Sequence, residues 1–230
     1  MKLNLSRLTC VSASVLFLLF AAPPGASAQE QSTIPTPLQN QLDRLDLAVS
    51  GVGIFNRPSS GTVKNSTQPG GGTVSINPGN TLGALITVRY VVKPLVGFEF
   101  NYGYSRYTQK FTGVSGTPGV FGVQNNAKEY TFGYVAHTPQ LFGVNPFIAV
   151  GGGTTAFRPT TTGGAGLLTQ ARATYYYSIG AESTLGSPHF GLRAQFREAF
   201  FLAPDFGANY LTIKQRTTTF EPGIGFFIRF

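Results

Sequence analysis

The chain has 230 residues, of which only 11% are charged, with 17 Lys and Arg against 9 Asp and Glu for a formal net charge of +8. Glycine numbers 29 and phenylalanine 20, tryptophan is absent, and the single cysteine is Cys10. These counts exclude a disulfide framework and a cysteine-based metal site. The cations are scattered rather than gathered into a basic stripe, so no nucleic-acid partner is expected.

Residues 1–28 read as a cleaved signal peptide. Lys2 and Arg7 form a positive start, Val11 to Ala22 is a short apolar run, and Ala26-Ser27-Ala28 supplies the small-residue cleavage site. The run is shorter than the roughly 20 residues a spanning helix needs. Cys10 precedes it, where a lipid-attachment cysteine does not sit. Loss of Lys2 and Arg7 takes the charge from +8 to +6. Residues 29–44, with Ile34-Pro35-Thr36-Pro37, read as a polar periplasmic lead-in. No long apolar run follows, yet aromatics are abundant and charges few. Only helices and closed barrels satisfy their backbone in lipid, so residues 45–230 are expected to form a transmembrane β-barrel.

Eight segments carry a period of two: Leu45–Phe55, Thr81–Val92, Val96–Ser105, Lys128–His137, Pro146–Thr155, Ala173–Thr184, Phe190–Glu198 and Thr219–Phe230. The third is the clearest. Val96, Phe98, Phe100, Tyr102 and Tyr104 alternate with Gly97, Glu99, Asn101, Gly103 and Ser105, over the length a tilted strand needs to cross a bilayer. In the last, Phe220, Pro222, Ile224, Phe226, Ile228 and Phe230 oppose Glu221, Gly223, Gly225, Phe227 and Arg229. Pro222 cannot donate to a ladder and is expected near a strand end or a bulge. The first and fifth segments are glycine-rich, and their registers are not fixed by pattern. Long connections (Asn56–Asn80, Gln109–Ala127, Phe157–Arg172, Ala199–Lys214) alternate with short ones (Lys93-Pro94, Thr138–Asn145, Gly186-Ser187-Pro188), as outside loops alternate with periplasmic turns in outer-membrane barrels. The expected fold is all-β: an eight-stranded antiparallel up-and-down barrel with both termini in the periplasm.

Magnitudes set the orientation. A soluble barrel would turn its large apolar residues inward, but an eight-stranded bore is just wide enough for side chains and cannot hold whole columns of Phe and Tyr. An arginine on the lipid face at mid-membrane costs about 2–4 kcal/mol. The aromatics therefore face lipid, while glycine, Arg and Glu share a narrow polar lumen.

On these residues the chain resembles the small outer-membrane barrels of the OmpA-like and OmpW-like superfamily, barrel domain only. The likeness rests on the export signal, on Gly97-Phe98-Glu99-Phe100-Asn101-Tyr102-Gly103-Tyr104-Ser105, and on the ending Gly225-Phe226-Phe227-Ile228-Arg229-Phe230. It implies that Phe226, Ile228 and Phe230 are the signal read by the barrel-assembly machinery. Nothing follows the last strand, so the peptidoglycan-binding role of full-length OmpA is not carried over.

The candidate lumen network is Arg89, Glu99, Glu129, Glu182, Arg193, Arg197 and Glu221, with signs nearly balanced. Buried charges persist only when paired, so a lumen-filling network is the plainer expectation. A switching gate is what the OmpA-like resemblance implies. Arg89 with Glu99 is the first pair to test. Toward the outer rim, Arg57, Lys64, Arg106, Lys110, Lys128, Arg158, Arg172, Lys214 and Arg216 outnumber Glu198 and Asp205. Arg106 and Lys128 are candidates for contact with lipopolysaccharide phosphates. Tyr102, Tyr104, Tyr130, Tyr134, Tyr175 and Tyr177 suit aromatic girdles. His137 and His189 fall at periplasmic strand ends as interface residues, and two histidines without an acidic cluster make no metal site. Gly151-Gly152-Gly153 is no phosphate loop, since no Lys-Ser/Thr follows. No catalytic residue, cofactor or metal is expected. The leading function is a monomeric, non-enzymatic outer-membrane barrel with a structural or surface-interaction role and four outside loops, its loop partner unnamed. The alternative is a narrow or gated channel for ions or small hydrophobic solutes.

Overall fold

The computed structural model describes residues 37–63, 72–114 and 119–230. The signal segment, most of the lead-in and Lys64 lie outside the described residues. The lead-in ends in a one-and-a-half-turn helix, α1 (Pro37–Leu42), and the strands follow: β1 (Leu45–Asn56), β2 (Ser59–Val63), β3 (Gly72–Pro78), β4 (Thr81–Lys93), β5 (Val96–Thr112), β6 (Val120–His137), β7 (Asn145–Pro159), β8 (Gln170–Ser187), β9 (Phe190–Leu202) and β10 (Arg216–Arg229).

Eight of these, β1 and β4 to β10, pair antiparallel with their sequence neighbours, and β10 returns to β1, with Asp46 opposite Arg229 and Gly51 opposite Ile224. The sheet is a closed eight-stranded barrel, as the sequence pattern requires. Closure leaves no exposed edge, which is the condition for a sheet in hydrocarbon. The alternation sorts the faces. Phe132, Tyr134, Ile148, Val150, Ile224 and Phe226 point outward and are more than half exposed, whereas Arg89, Glu182 and Arg193 are about 1% exposed or less. A soluble protein hides the first set and shows the second. The wall is inverted, with an apolar belt outside and charge within.

The strands run further than the sequence pattern places them. The connections expected over Gln109–Ala127 and Asn56–Asn80 are largely strand: β5 continues to Thr112, β6 begins at Val120, and β2 and β3 form a hairpin whose second strand pairs with the end of β5. The reason is an inversion of polarity along a continuous wall. Beyond Ser105 the inward residues become Tyr107 and Phe111, with Val123 on β6, while Arg106, Lys110 and Lys128 point out. The alternation persists, but its polar face is now the outer one. Beyond the belt the wall stands in water and can bury apolar residues inside, as a soluble sheet does.

Pro222 lies in the middle of β10, not at an end or a bulge. Between β1 and β10 the ladder runs from Val52–Gly223 to Phe55–Phe220 and skips Gly53–Pro222 and Ile54–Glu221. Those are the two pairs whose bonds would draw on an N–H at position 222, which proline lacks. The proline is tolerated in register, at the cost of two rungs in the seam that joins the first strand to the last.

The glycine-rich β7 follows from close packing. A Cβ at Gly151 would meet the Tyr176 ring at 2.7 Å, and one at Gly133 would collide with the Tyr176 hydroxyl. Gly133 and Gly151 are cross-strand partners, and Tyr176 pairs with Gly151. The tyrosine lies flat against the inner wall on a shelf without side chains.

Candidate functional site

Inward positions on seven strands assemble two charged layers. Nearer the short turns, Arg89 on β4 stands opposite Glu99 on β5, Nε to Oε2 2.9 Å, and its Nη1 donates to Glu182 Oε1 at 2.5 Å. Arg193 donates from Nε to the same Glu182 oxygen at 2.9 Å and from Nη2 to Asp46 Oδ1 at 2.7 Å. Arg229 Nη2 reaches Glu182 Oε2 at 3.1 Å and Asp46 Oδ2 at 3.5 Å. Three guanidiniums thus meet three carboxylates. Rings flank the cations: Arg89 lies 4.1 Å from the centroid of Phe147, and Arg193 lies 5.8 Å from Phe147 and 5.7 Å from Phe227.

Further toward the loops, Arg197 lies over the Tyr176 ring at 4.3 Å, bonds Glu129, and donates from Nη1 to Glu221 Oε2 at 2.5 Å. Neutral groups join the layers. Tyr176 donates its hydroxyl to Glu99 Oε1 at 2.8 Å, and Asn101 Nδ2 donates to that oxygen at 3.0 Å, while Thr87 donates to Asn101 Oδ1 at 2.7 Å. A cavity of about 30 Å³, bordered by Ser105, Glu129, Thr155, Arg197 and Glu221, lies above Arg197. That is room for a water or two.

Above the cavity the bore is filled mainly by apolar side chains, with Gln109 and Asn125 also turned inward and buried. The β9–β10 connection folds inward, so that Ala203, Phe206, Leu211 and Ile213 pack against Val74, Ile76, Phe111, Phe157 and Phe201. The expectation of a polar bore throughout is corrected here. The charged lumen ends near Ser105, and of the outside loop expected over Ala199–Lys214 the first four residues continue β9 while the rest folds in as a plug. Asp205 anchors it: its carboxylate accepts from Gln170 Nε2 at 2.5 Å, Thr212 Oγ1 at 2.8 Å, the Gly207 N–H at 3.1 Å and Arg172 Nη2 at 3.0 Å. Burial works against the charge of Asp205, but the donors of Gln170, Thr212 and Gly207 and the Arg172 cation outweigh it and hold its carboxyl below the usual range.

All seven candidate lumen residues are buried inside the barrel and share these two layers. Asp46 and Arg229 join the network beyond the seven candidates, and the alternation of Leu45, Leu47 and Val49 with Asp46, Ala48 and Ser50 is the sequence signal for the first of them. His137 is placed differently from expectation. Its Nε2 lies 4.0 Å from Glu182 Oε1 at the mouth of the bore rather than on the outer interface. His189 lies in the β8–β9 turn, its Nδ1 3.0 Å from the Arg229 carbonyl oxygen. Arg106 and Lys128 lie on the outer face. Phe226 and Ile228 are exposed on β10, and Phe230 follows its end. Among the described residues no cluster of three metal-ligating side chains occurs.

No protein-family model matches the sequence, and no curated protein matches it. Among solved structures, the chain is similar to the outer-membrane protein OprG from Pseudomonas aeruginosa, with a TM-score of 0.54 at 13% identity, covering 80% of this chain and 95% of that one. Neisserial surface protein A superposes with a TM-score of 0.48 at 12% identity over 80% of this chain and 97% of its own. Ail of Yersinia pestis, in complex with the heparin analogue sucrose octasulfate, does so with 0.42 at 12% identity over 80% and 99%. The likeness to OprG is one of fold: a small, closed, antiparallel barrel of the outer-membrane kind.

Proposed function

We propose that the chain is a non-enzymatic outer-membrane barrel of the OmpA-like and OmpW-like type, acting as a monomeric membrane-embedded scaffold that presents its loop end outside the cell. In this reading residues 1–28 are removed on export, residues 29–44 remain in the periplasm, and the strand ending in Phe226, Ile228 and Phe230 is handed to the barrel-assembly machinery. The observation that carries the reading is the double closure of the bore. Arg197 with Glu129 and Glu221, and Arg89 with Glu99 and Glu182, fill it on one side. The plug around Phe206 and Leu211 fills it on the other. A lumen with room for a water or two between such layers conducts nothing at rest. Reconstituted in a planar bilayer, the mature chain is expected to give no unitary current steps; regular steps in most insertions would sink the scaffold reading.

A narrow passage for small hydrophobic solutes is the second reading. It is favoured by the apolar lining of Tyr107, Phe111, Phe157 and Phe201 in the loop half of the bore. It requires the plug to move, and solute uptake by vesicles in the absence of ionic current is the signature that would promote it.

A further inference from the structure

We infer that the outer wall of β5, β6 and β7 binds the phosphate groups of one lipopolysaccharide molecule through Arg106, Lys128 and Arg158, an inference that rests on the outer-membrane reading. The register assembles the three cations. Arg106 on β5 pairs with Asn126 on β6, and Asn126 pairs with Arg158 on β7, so the two arginines flank one asparagine on the outward face. At about 4.8 Å between strands, their backbones stand about 10 Å apart. Lys128 lies two residues along β6, outward like Asn126. The Gln124 side-chain oxygen accepts from Arg106 Nη2 at 2.8 Å and from Thr160 Oγ1 at 3.1 Å, which holds the guanidinium on the β6 side.

Three features select a lipid phosphate over a soluble anion. The cations project sideways from strands, not upward from loop tips. They begin where the aromatic belt stops, with Tyr104 directly opposite Lys128 and Tyr130 two residues further along β6. No described outward residue of β5, β6 or β7 beyond that level is acidic, and none of the three cations has a carboxylate partner among the described residues. Guanidinium and ammonium groups at the headgroup level, unpaired and converging from three strands, fit phosphates held at that level by their own acyl chains.

Native mass spectrometry of the mature, detergent-folded chain tests this with diphosphorylated lipid A, monophosphorylated lipid A and phosphatidylglycerol. Two triple variants remove equal charge: Arg106→Gln/Lys128→Gln/Arg158→Gln, and Arg57→Gln/Lys214→Gln/Arg216→Gln, which includes Arg216 on β10, four strands away from β6 around the barrel. Tighter binding of the diphosphorylated lipid, with a loss of about tenfold or more in the first variant and under twofold in the second, is the expected result. Equal losses in both variants, equal binding of phosphatidylglycerol, or displacement by equimolar pyrophosphate or heparin would overturn the inference. Failure of the wild-type chain to fold into a heat-modifiable barrel would sink the membrane reading and the inference with it; a folded chain with equal losses sinks the inference alone.

Discussion

Arg89 and Glu99 face each other across β4 and β5 at 2.9 Å, yet neither belongs to the other alone. Arg89 also holds Glu182, and Glu99 also accepts from Tyr176 and Asn101. Glu99→Ala therefore leaves the Tyr176 hydroxyl without its acceptor, reduces Asn101 Nδ2 to the Tyr176 oxygen alone, and forces Glu182 to neutralise Arg89 while still serving Arg193 and Arg229. Breaking a buried pair costs about 3–5 kcal/mol. Urea unfolding from lipid vesicles should show a loss of that order, and a smaller one for Glu99→Gln. The current should stay at baseline, because the plug closes the bore independently. A conducting Glu99→Ala would mean that the charged layer is the sole barrier.

The seam between β1 and β10 lacks two ladder pairs, for a reason local to one residue. Pro222 withholds the N–H that the Gly53 carbonyl would accept, and an unsatisfied carbonyl is costly where no water can substitute. Pro222→Val keeps an apolar, outward side chain and restores the donor. The net gain should be about 1 kcal/mol, after the greater freedom of the unfolded chain is set against the new bond. It should be read as a higher urea midpoint at unchanged slope. An unchanged or lower midpoint would show that the carbonyl is satisfied by another route.

Two levels of the outer face predict different responses to one substitution. Phe132 lies mid-belt, stacked with Phe98 at 5.7 Å between centroids, and Thr108 lies outward beyond the belt. Phe132→Arg should cost about 2–4 kcal/mol and Thr108→Arg no more than about 1, since the penalty follows depth. Equal costs would remove the basis for placing the aromatic belt in hydrocarbon.

These features are legible in the sequence to different degrees. Val96–Ser105 shows both faces of the wall because its inward residues are small, polar or charged and its outward ones are large, so Arg89 and Glu99 read as sharing the inner face, whereas their pairing depends on a register that shifts between Val91 and Lys93. The stretch beyond Ser105 keeps the same period but inverts its polarity, and outward Arg106, Thr108 and Lys110 resemble a loop when the inward Tyr107, Gln109 and Phe111 are not weighed as a separate column. The shelf at Gly133 and Gly151 is unreadable locally, because its cause is the ring of Tyr176 on another strand. The plug has no period at all. Phe206 and Leu211 are buried by residues more than 40 positions away, such as Phe111 and Phe157, and no local pattern encodes that contact.

Asp205 makes the plug sensitive to acid, and the sign is fixed by the direction in which its carboxyl is displaced. In the folded chain its proton affinity is lowered, with the donors of Gln170, Thr212 and Gly207 and the charge of Arg172 overriding the effect of burial. The unfolded loop carries an ordinary aspartate near pH 3.9. A group whose folded value is depressed stabilises the fold above the unfolded value and loses that contribution as pH falls through the folded one. The anchor should therefore be intact from pH 7 to about pH 5 and fail below about pH 4. Protonation leaves Arg172 without its partner and weakens the hold on the connection that carries Phe206 and Leu211. Hydrogen exchange of the 203–215 backbone, with the chain in lipid, should stay slow down to about pH 5 and quicken below about pH 4 beyond the intrinsic rate change. Asp205→Asn should exchange faster at every pH, with no acid step of its own. An acid step that persists in Asp205→Asn would assign the sensitivity to another carboxylate.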